Sequence, residues 1–435
     1  MNKGENEQEL ESRAVLVSAG EDRQVAELGR LSETLGLEVV GVLEQGRRDG
    51  AGYLGRGKRE ELGDLVGSVE AGIVVTDDEL SASQARVLEK AAGVQVVDRT
   101  LLIIRIFEAH ARDAASQLEV ELAELSYRLP RVRGGYKALS RLGGGGVVTR
   151  GPGEQQLEYD RRIIRQRMEK LRKRLAEERA ARKTQGARLK KEGTPSVALV
   201  GYTNAGKTTI LNALSGEHRS TADRLFETLE TTSRIVKSTI PADNDSGRDR
   251  NGAVARPDFV LTDTVGFIRK LPTQLVHSFA STLEVARDAS VLILCADAAS
   301  EKLEEEILTV EATLDDAFSG TERGNSGSMR ESVLCLNKSD LVSPERRREL
   351  SAAYPEAILI SARRNATPLL DTINESLASS RVRMRLLIPH AEYGAINGLY
   401  GRAEIHTRED TDEGLELDVT LPKPQARRYA HYRAP

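Results

Sequence analysis

Short apolar runs and helically spaced apolar residues alternate along the first 115 positions. The runs "RAVLVSAG", "LEVVGVLEQG", "AGIVVTDDEL" and "GVQVVDRT" read as strands, and "RQVAELGRLSETLG" and "SASQARVLEKAAG" read as helices. Such alternation predicts a small, largely parallel sheet, an amino-terminal α/β domain over 1–115. From 116 to 192 the pattern changes: "SQLEVELAELSYRLPRVRGG" leads into the glycine-rich "GGYKALSRLGGGGVVTRGPGEQQ", and a long charged helix starts at about Glu154. Two helices joined by a glycine-rich tip predict an antiparallel hairpin arm. Strand and helix alternate again over 193–380, and the strand-like "RVRMRLLIP", "GRAEIHTR" and "GLELDVTLP" predict a small α+β domain over 381–435. Two polar stretches inside the third block, near 241–257 and 317–331, lack apolar periodicity and read as surface insertions.

Composition adds little beyond this division. A chain of 435 residues has room for about three domains. Charged residues make up 30% of it with a net charge of only −4, so charge matters by placement rather than by sum. Cys295 and Cys335 each stand inside an apolar run and are expected to be small buried strand residues. No charged-then-apolar leader opens the chain and no stretch approaches the ~18 apolar residues of a membrane span, so a cytoplasmic protein with no membrane span is expected. Nothing points to an obligate partner surface, and a monomer is expected.

Chemistry enters with "GYTNAGKTT", residues 201–209. Gly201, Gly206, Lys207 and Thr208 fit the phosphate-loop spacing, and the apolar strand Val197–Val200 before them and the helical "KTTILNALSG" after them supply the required context. Such a loop turns backbone N–H groups toward phosphates, and Tyr202, Thr203, Asn204, Ala205 and Thr209 are expected to belong to the nucleotide site with it. It sets the Lys207 ammonium near the outer two phosphates and offers the Thr208 hydroxyl to Mg²⁺. In "FVLTDTVGF", Asp263 follows an apolar strand, where a phosphate-loop enzyme holds its Mg²⁺ shell, and Gly266 can bring its N–H to the γ-phosphate. In "VLCLNKSD", a strand runs into Asn337, Lys338, Ser339 and Asp340. The Asp340 carboxylate can accept from N1–H and the exocyclic amine of guanine together, a donor pair adenine lacks, so this element specifies GTP. In "AILISAR", Ser361 and Ala362 stand where a backbone N–H can meet the guanine oxygen. Four such pieces in order, each after a strand, match the ligand edge of an open α/β sheet. A switch threonine should reach Mg²⁺ from "ADRLFETLETTSRIV", where Thr228, Thr231 and Thr232 all qualify. Phe267 stands where Ras-like enzymes carry the glutamine that orients water, which predicts slow hydrolysis unless a partner assists.

The second helix of the arm is basic. Residues 161–191 carry fourteen lysines or arginines against three glutamates, and the glycine-rich stretch adds Arg131, Arg133, Lys137, Arg141 and Arg150 with one aromatic, Tyr136. Clustered positive charge beside a glycine tip suits an RNA backbone, although a charged helix is often only solvated.

Taken together, "YLGRGKREEL", "LEVELAELSYRLPR", "GGGGVVTRGPGEQQLEYDRR", "GYTNAGKTT", "LFETLETTSR" and "DTVGFIRKLPTQLVHSFASTLE" resemble the HflX family of ribosome-associated translational GTPases over nearly the whole chain. The resemblance implies a P-loop GTPase domain with an N-terminal α/β domain, a helical hairpin arm and a small C-terminal α+β domain. It implies GTP hydrolysis with Mg²⁺, with Lys207, Thr228 and Gly266 as catalytic residues and Thr208, Thr228 and Asp263 as metal ligands. It further implies binding to the large ribosomal subunit and its RNA through the arm tip, with Arg133, Lys137, Arg141, Gly144 and Arg150 as contacts, and a role in splitting or rescuing stalled ribosomes. Asn204 resembles the asparagine by which some related GTPases hold K⁺, ordinary loop hydrogen bonding being the alternative. The chain departs from the family at "TLETTSR", where Glu230 and Thr231 replace Asp and Pro, and at Ser339, where an apolar residue is usual. Two other readings compete: a ribosome-assembly or RNA-binding GTPase acting on immature large subunits, and a P-loop ATPase or kinase, which the "NKSD" element argues against.

Overall fold

A computed structural model of the chain describes residues 12–21, 24–132, 152–191, 194–216, 226, 232–237, 258–270, 272, 275, 280–319, 331–379, 381–399, 403–422 and 426–434. The chain divides into two compact units. The first comprises residues 1–179 with the short lengths 223–230 and 270–280, and the second comprises 180–222, 231–269 and 281–435.

The first unit is built on a four-stranded parallel sheet, β1 (Arg13–Ala19), β2 (Glu38–Gln45), β3 (Ile73–Thr76) and β4 (Gln95–Asp98), in the order β2-β1-β3-β4. The apolar run of β1 is buried from Ala14 onward because helices cover both faces of a parallel sheet. Helix Val25–Thr34 packs with helix Arg99–His110, and helices Arg56–Ser68 and Ala82–Ala92 pack with each other. Helix Arg56–Ser68 is not announced by apolar periodicity, since Leu62 and Val66 are the residues it buries. Ser81 starts helix Ala82–Ala92 with a reciprocal capping box to Gln84, and Gly93 (φ +71°) ends it in a left-handed turn.

Charge is concentrated at the carboxyl edge of this sheet. Arg99 is 1% exposed and is ion-paired with Glu27 and with Asp77, the latter at 2.8 Å. Asp78 accepts from Arg48 (2.7 Å) and from the Tyr53 hydroxyl (2.9 Å), whose pKa rises chiefly through burial. Lys270 belongs to this unit too, and its Nζ lies 2.6 Å from Asp78 and 3.2 Å from Asp77. Phe226 (φ +59°) is buried with its ring edge-on to Phe107, centroids 4.6 Å apart.

The expected arm is present in its helical part. Helices Ala114–Arg128 and Pro152–Lys191 pack through Ala115, Leu118, Leu171 and Leu175, and Arg167 pairs with Glu121 at 2.7 Å. Its glycine-rich tip, with Arg133, Lys137, Arg141, Gly144 and Arg150, lies outside the described residues.

In the second unit, β5 (Ser196–Gly201), β6 (Thr232–Val236), β7 (Phe259–Asp263), β8 (Val291–Asp297), β9 (Glu331–Asn337) and β10 (Ile358–Leu359) form one sheet in the order β10-β9-β8-β5-β7-β6. All neighbours are parallel except the edge pair β6 and β7, and β6 arises from the "TSRIV" part of the stretch read as a switch segment. Cys295 and Cys335 are adjacent in register on β8 and β9, buried and free, as expected of small strand residues. A separate antiparallel sheet, β11 (Arg381–Ile388), β13 (Gly414–Pro422) and β12 (Glu404–Thr411) in that order, carries its own core of Leu386, Ile388, Leu415, Leu417, Val419 and Leu421. Among the described residues, no helix is long and apolar enough to cross a membrane.

Removing a buried cation while leaving its acids in place is strongly destabilising. Arg99→Met is therefore expected to destabilise the first unit by about 3–5 kcal/mol, read as faster amide hydrogen exchange in β1 and β3, whereas unchanged protection would show that the cluster carries no structural weight.

Candidate functional site

At the carboxyl end of β5 the chain wraps into a tight loop that glycine alone permits at two points. A Cβ on Gly201 would stand 2.1 Å from the Cys295 carbonyl oxygen, and one on Gly206 (φ +88°) would stand 2.3 Å from Asn337 Nδ2. Asn204 also takes a left-handed conformation, φ +63°. Helix Lys207–Ser215 follows, anchored to the sheet by buried Ile210 and Leu211, with Thr209 in its first turn. The Lys207 side chain curls back over the loop, and its ammonium donates to the carbonyls of Gly201 (3.1 Å) and Tyr202 (2.9 Å). Burial lowers the Lys207 pKa, while the nearby Asp263 carboxylate acts in the other direction.

Asp263 ends β7, paired in register with Leu199 of β5, and its Oδ2 accepts from the Thr208 hydroxyl at 2.7 Å. The Thr264 hydroxyl donates to the Leu199 carbonyl at 2.6 Å, which locks the start of the following segment to β5. Gly266 is packed against the loop: a Cβ there would lie 2.8 Å from Thr203 Cα and 3.2 Å from Lys207 Nζ. Phe267 is buried at 7% exposure, its N–H donating to the Gly201 carbonyl (3.0 Å) and its carbonyl accepting from the Thr203 N–H (2.7 Å). The phenyl ring expected to lack a role toward water is thus a packing residue.

On the other side of β5, Asn337 ties two loops together. Its amide nitrogen donates to the Ala205 carbonyl (3.0 Å), and its amide oxygen accepts from the Ala362 N–H (3.0 Å). Lys338 (φ +60°) pairs with Asp297 at 2.8 Å. Asp340 sits in the single turn Ser339–Leu341. Its carboxyl is held below the usual carboxylate range, first by the Ser361 hydroxyl beside it, with the Arg364 guanidinium 3.9 Å away acting the same way. It is therefore ionised and accepts only at neutral pH. Ser361 and Ala362 follow the two-residue strand β10 in a turn closed by a bridge to Asn365.

Gly201, Tyr202, Thr203, Asn204, Ala205, Gly206, Lys207, Thr208, Thr209, Asp263, Gly266, Asn337, Lys338, Asp340, Ser361 and Ala362 therefore converge on the carboxyl edge of one sheet. Thr228 and Thr231 lie outside the described residues, and Thr232 is in β6 opposite Asp263. Sequence reasoning did not single out Asp297. The signal was present: it closes the apolar run "VLILCAD" one strand away from the Asn337–Lys338 pair, in register with Asn337.

Comparison with known proteins bears on the same residues. Residues 22–108 match the family model of a GTP-binding GTPase N-terminal region, 110–188 that of a GTP-binding GTPase middle region, and 196–338 that of a 50S ribosome-binding GTPase. The chain is 41% identical to GTPase HflX of Caldanaerobacter subterraneus subsp. tengcongensis, over 94% of this chain and 90% of that one. The chain belongs to the HflX GTPase family. GTPase HflX of Gluconacetobacter diazotrophicus is 34% identical over 92% of this chain and 91% of its own, and that of Akkermansia muciniphila 34% over 95% of each. A solved GTP-binding protein from the archaeon Sulfolobus solfataricus, in complex with GDP, covers 84% of this chain and 98% of its own at 21% identity and a TM-score of 0.40. As an HflX-family GTPase the chain is a GTP-binding protein with a P-loop GTPase domain, and its family works with Mg²⁺.

The contact of Gly206 with Asn337 makes a direct test possible. Gly206→Ala forces the Asn337 amide away and breaks its bond to Ala205, so GDP affinity measured by titration calorimetry should fall by roughly tenfold or more, the cost of one buried hydrogen bond lost. Undiminished affinity would mean that this joint does not hold the site.

Proposed function

We propose that this chain hydrolyses GTP at the edge formed by the phosphate loop, Asp263 and the Asn337–Asp340 turn, and couples that reaction to the large ribosomal subunit in splitting ribosomes or rescuing stalled ones. The observation that carries the nucleotide reading is the double hydrogen bond of Asn337, which joins the phosphate loop to the Ser361–Ala362 turn. One side chain thereby couples where phosphates sit to where a base is read. The ribosomal reading is supported by the match of 196–338 to a 50S ribosome-binding GTPase and by the basic helix that follows the glycine-rich stretch.

In this reading Lys207 donates to the β- and γ-phosphates from a buried position where its charge is little screened. Thr208 and Asp263 present two hard oxygen donors 2.7 Å apart, a donor set suited to Mg²⁺. Mg²⁺ held by these two residues would supply positive charge to the phosphate oxygens. Thr228 would supply a further hydroxyl to that ion, and the Gly266 N–H would meet the γ-phosphate. Asn204 would offer its amide oxygen to K⁺ beside the phosphates, ordinary loop hydrogen bonding being the alternative. Asp340 accepts from the guanine edge, Asp297 steadies the Lys338 stem beside the base, and the Ala362 loop faces the guanine oxygen. Phe267 has no group with which to orient water, so the chain alone turns over slowly and the ribosome completes the switch. Arg133, Lys137, Arg141, Gly144 and Arg150 serve as RNA contacts, sequence-independent and salt-sensitive.

GTP hydrolysis by the purified protein should rise by roughly tenfold or more on adding large ribosomal subunits, a barrier change of about 1.4 kcal/mol. Deleting residues 134–153 should abolish the stimulation while leaving the basal rate, and Asp340→Asn should abolish GTP-specific turnover. Equal rates with and without subunits would remove the ribosomal reading, and stimulation by immature large particles alone would move it to ribosome assembly.

A further inference from the structure

Nothing in the phosphate-loop spacing calls for an aromatic residue after its first glycine, yet this chain places Tyr202 there with its side chain buried, 8% exposed. Its backbone forms a parallel bridge with Phe267, through the bonds of Phe267 N–H to the Gly201 carbonyl and of Thr203 N–H to the Phe267 carbonyl. Two residues further on, the Arg269 N–H donates to the Tyr202 hydroxyl at 2.8 Å. The segment 266–269 is therefore held twice, by main-chain bonds to the residues on either side of Tyr202 and by the tip of the Tyr202 ring.

The consequence falls on Gly266. Held this way, it is pressed against Thr203 and the Lys207 ammonium so closely that a single added carbon would stand 2.8 and 3.2 Å from them. A γ-phosphoryl oxygen that accepts from both the Lys207 ammonium and the Gly266 N–H needs room between these two groups. A diphosphate lacks that third phosphate and makes no such demand. We infer that Tyr202 is a positioning residue that latches the segment after Asp263 onto the phosphate loop and so biases the free chain toward GDP over GTP. The inference rests on the guanine-nucleotide reading above and deepens it: Tyr202 decides how readily a third phosphate enters. It also gives Phe267 a purpose apart from water. Its main chain is the other half of the latch, and its buried ring keeps that strand-like pairing dry.

The test compares the full-length wild type with Tyr202→Phe, which deletes the hydroxyl and retains the ring. Affinities for fluorescent GDP and for a fluorescent non-hydrolysable GTP analogue are measured with Mg²⁺ present. Loss of one hydrogen bond that only the latched form makes should raise the ratio of analogue affinity to GDP affinity roughly three- to tenfold. The amide of Arg269 should exchange faster in the variant when GDP is bound and equally in both proteins when the analogue is bound. A proportionate change in both affinities with the ratio unaltered is what a merely structural tyrosine would produce, and it overturns the inference. Failure of the wild type to bind either nucleotide overturns the guanine-nucleotide reading itself, so the two failures are distinguishable.

Discussion

A buried ammonium organises the second unit. Lys207 is 7% exposed, and a lysine charge taken out of water is tolerated only where oxygen atoms surround it. The Gly201 and Tyr202 carbonyls and the neighbouring Asp263 carboxylate supply that surrounding. Presenting two successive carbonyls inward demands a chain that reverses within a few residues, which explains the left-handed conformations at Asn204 and Gly206 and the close approach of Gly201 to β8. The loop is thus shaped by the charge it encloses. The helix starting at Lys207 turns the positive end of its dipole toward the same loop.

Everything else at the edge is fastened to that loop by groups of two or three atoms. Asn337 reaches it through Ala205, Asp263 through Thr208, and Phe267 through Gly201 and Thr203. The parallel sheet makes this economical, since all the contributing strands end on the same side and a short side chain spans the gap between neighbouring ends. The segment after Asp263 differs from the others in kind. Its ties include main-chain bonds to Gly201 and Thr203 besides the hydroxyls of Thr264 and Tyr202, whereas Asn337 is held between two loops at both ends of its amide.

The first unit handles buried charge in the opposite sense. Asp77, Asp78 and Glu27 are gathered at the carboxyl edge of its sheet, and Arg99, Arg48 and Lys270 match them one for one. The arginine fork suits two carboxylates at once, so Arg99 can be almost fully enclosed, while Lys270 meets the pair of aspartates as a point charge from a segment far away in sequence.

The alternating apolar runs alone settled that the chain makes parallel sheets covered by helices, because burial on both faces leaves no room for polar positions in a strand such as Val197–Val200. Residue spacing likewise settled the phosphate loop, since the turn from Gly201 to Lys207 is local and its conformational demands are written in glycines. Helix Arg56–Ser68 escaped that reading because it buries only Leu62 and Val66, and β6 escaped it because an edge strand half exposed to solvent carries little apolar signal. What only the tertiary structure decided are the joints between distant residues: Asp297 with Lys338, Lys270 with Asp77 and Asp78, and the Tyr202 hydroxyl with Arg269. Each depends on which strand lies beside which, and strand order is set by packing across the sheet, a long-range balance that no window of the sequence contains.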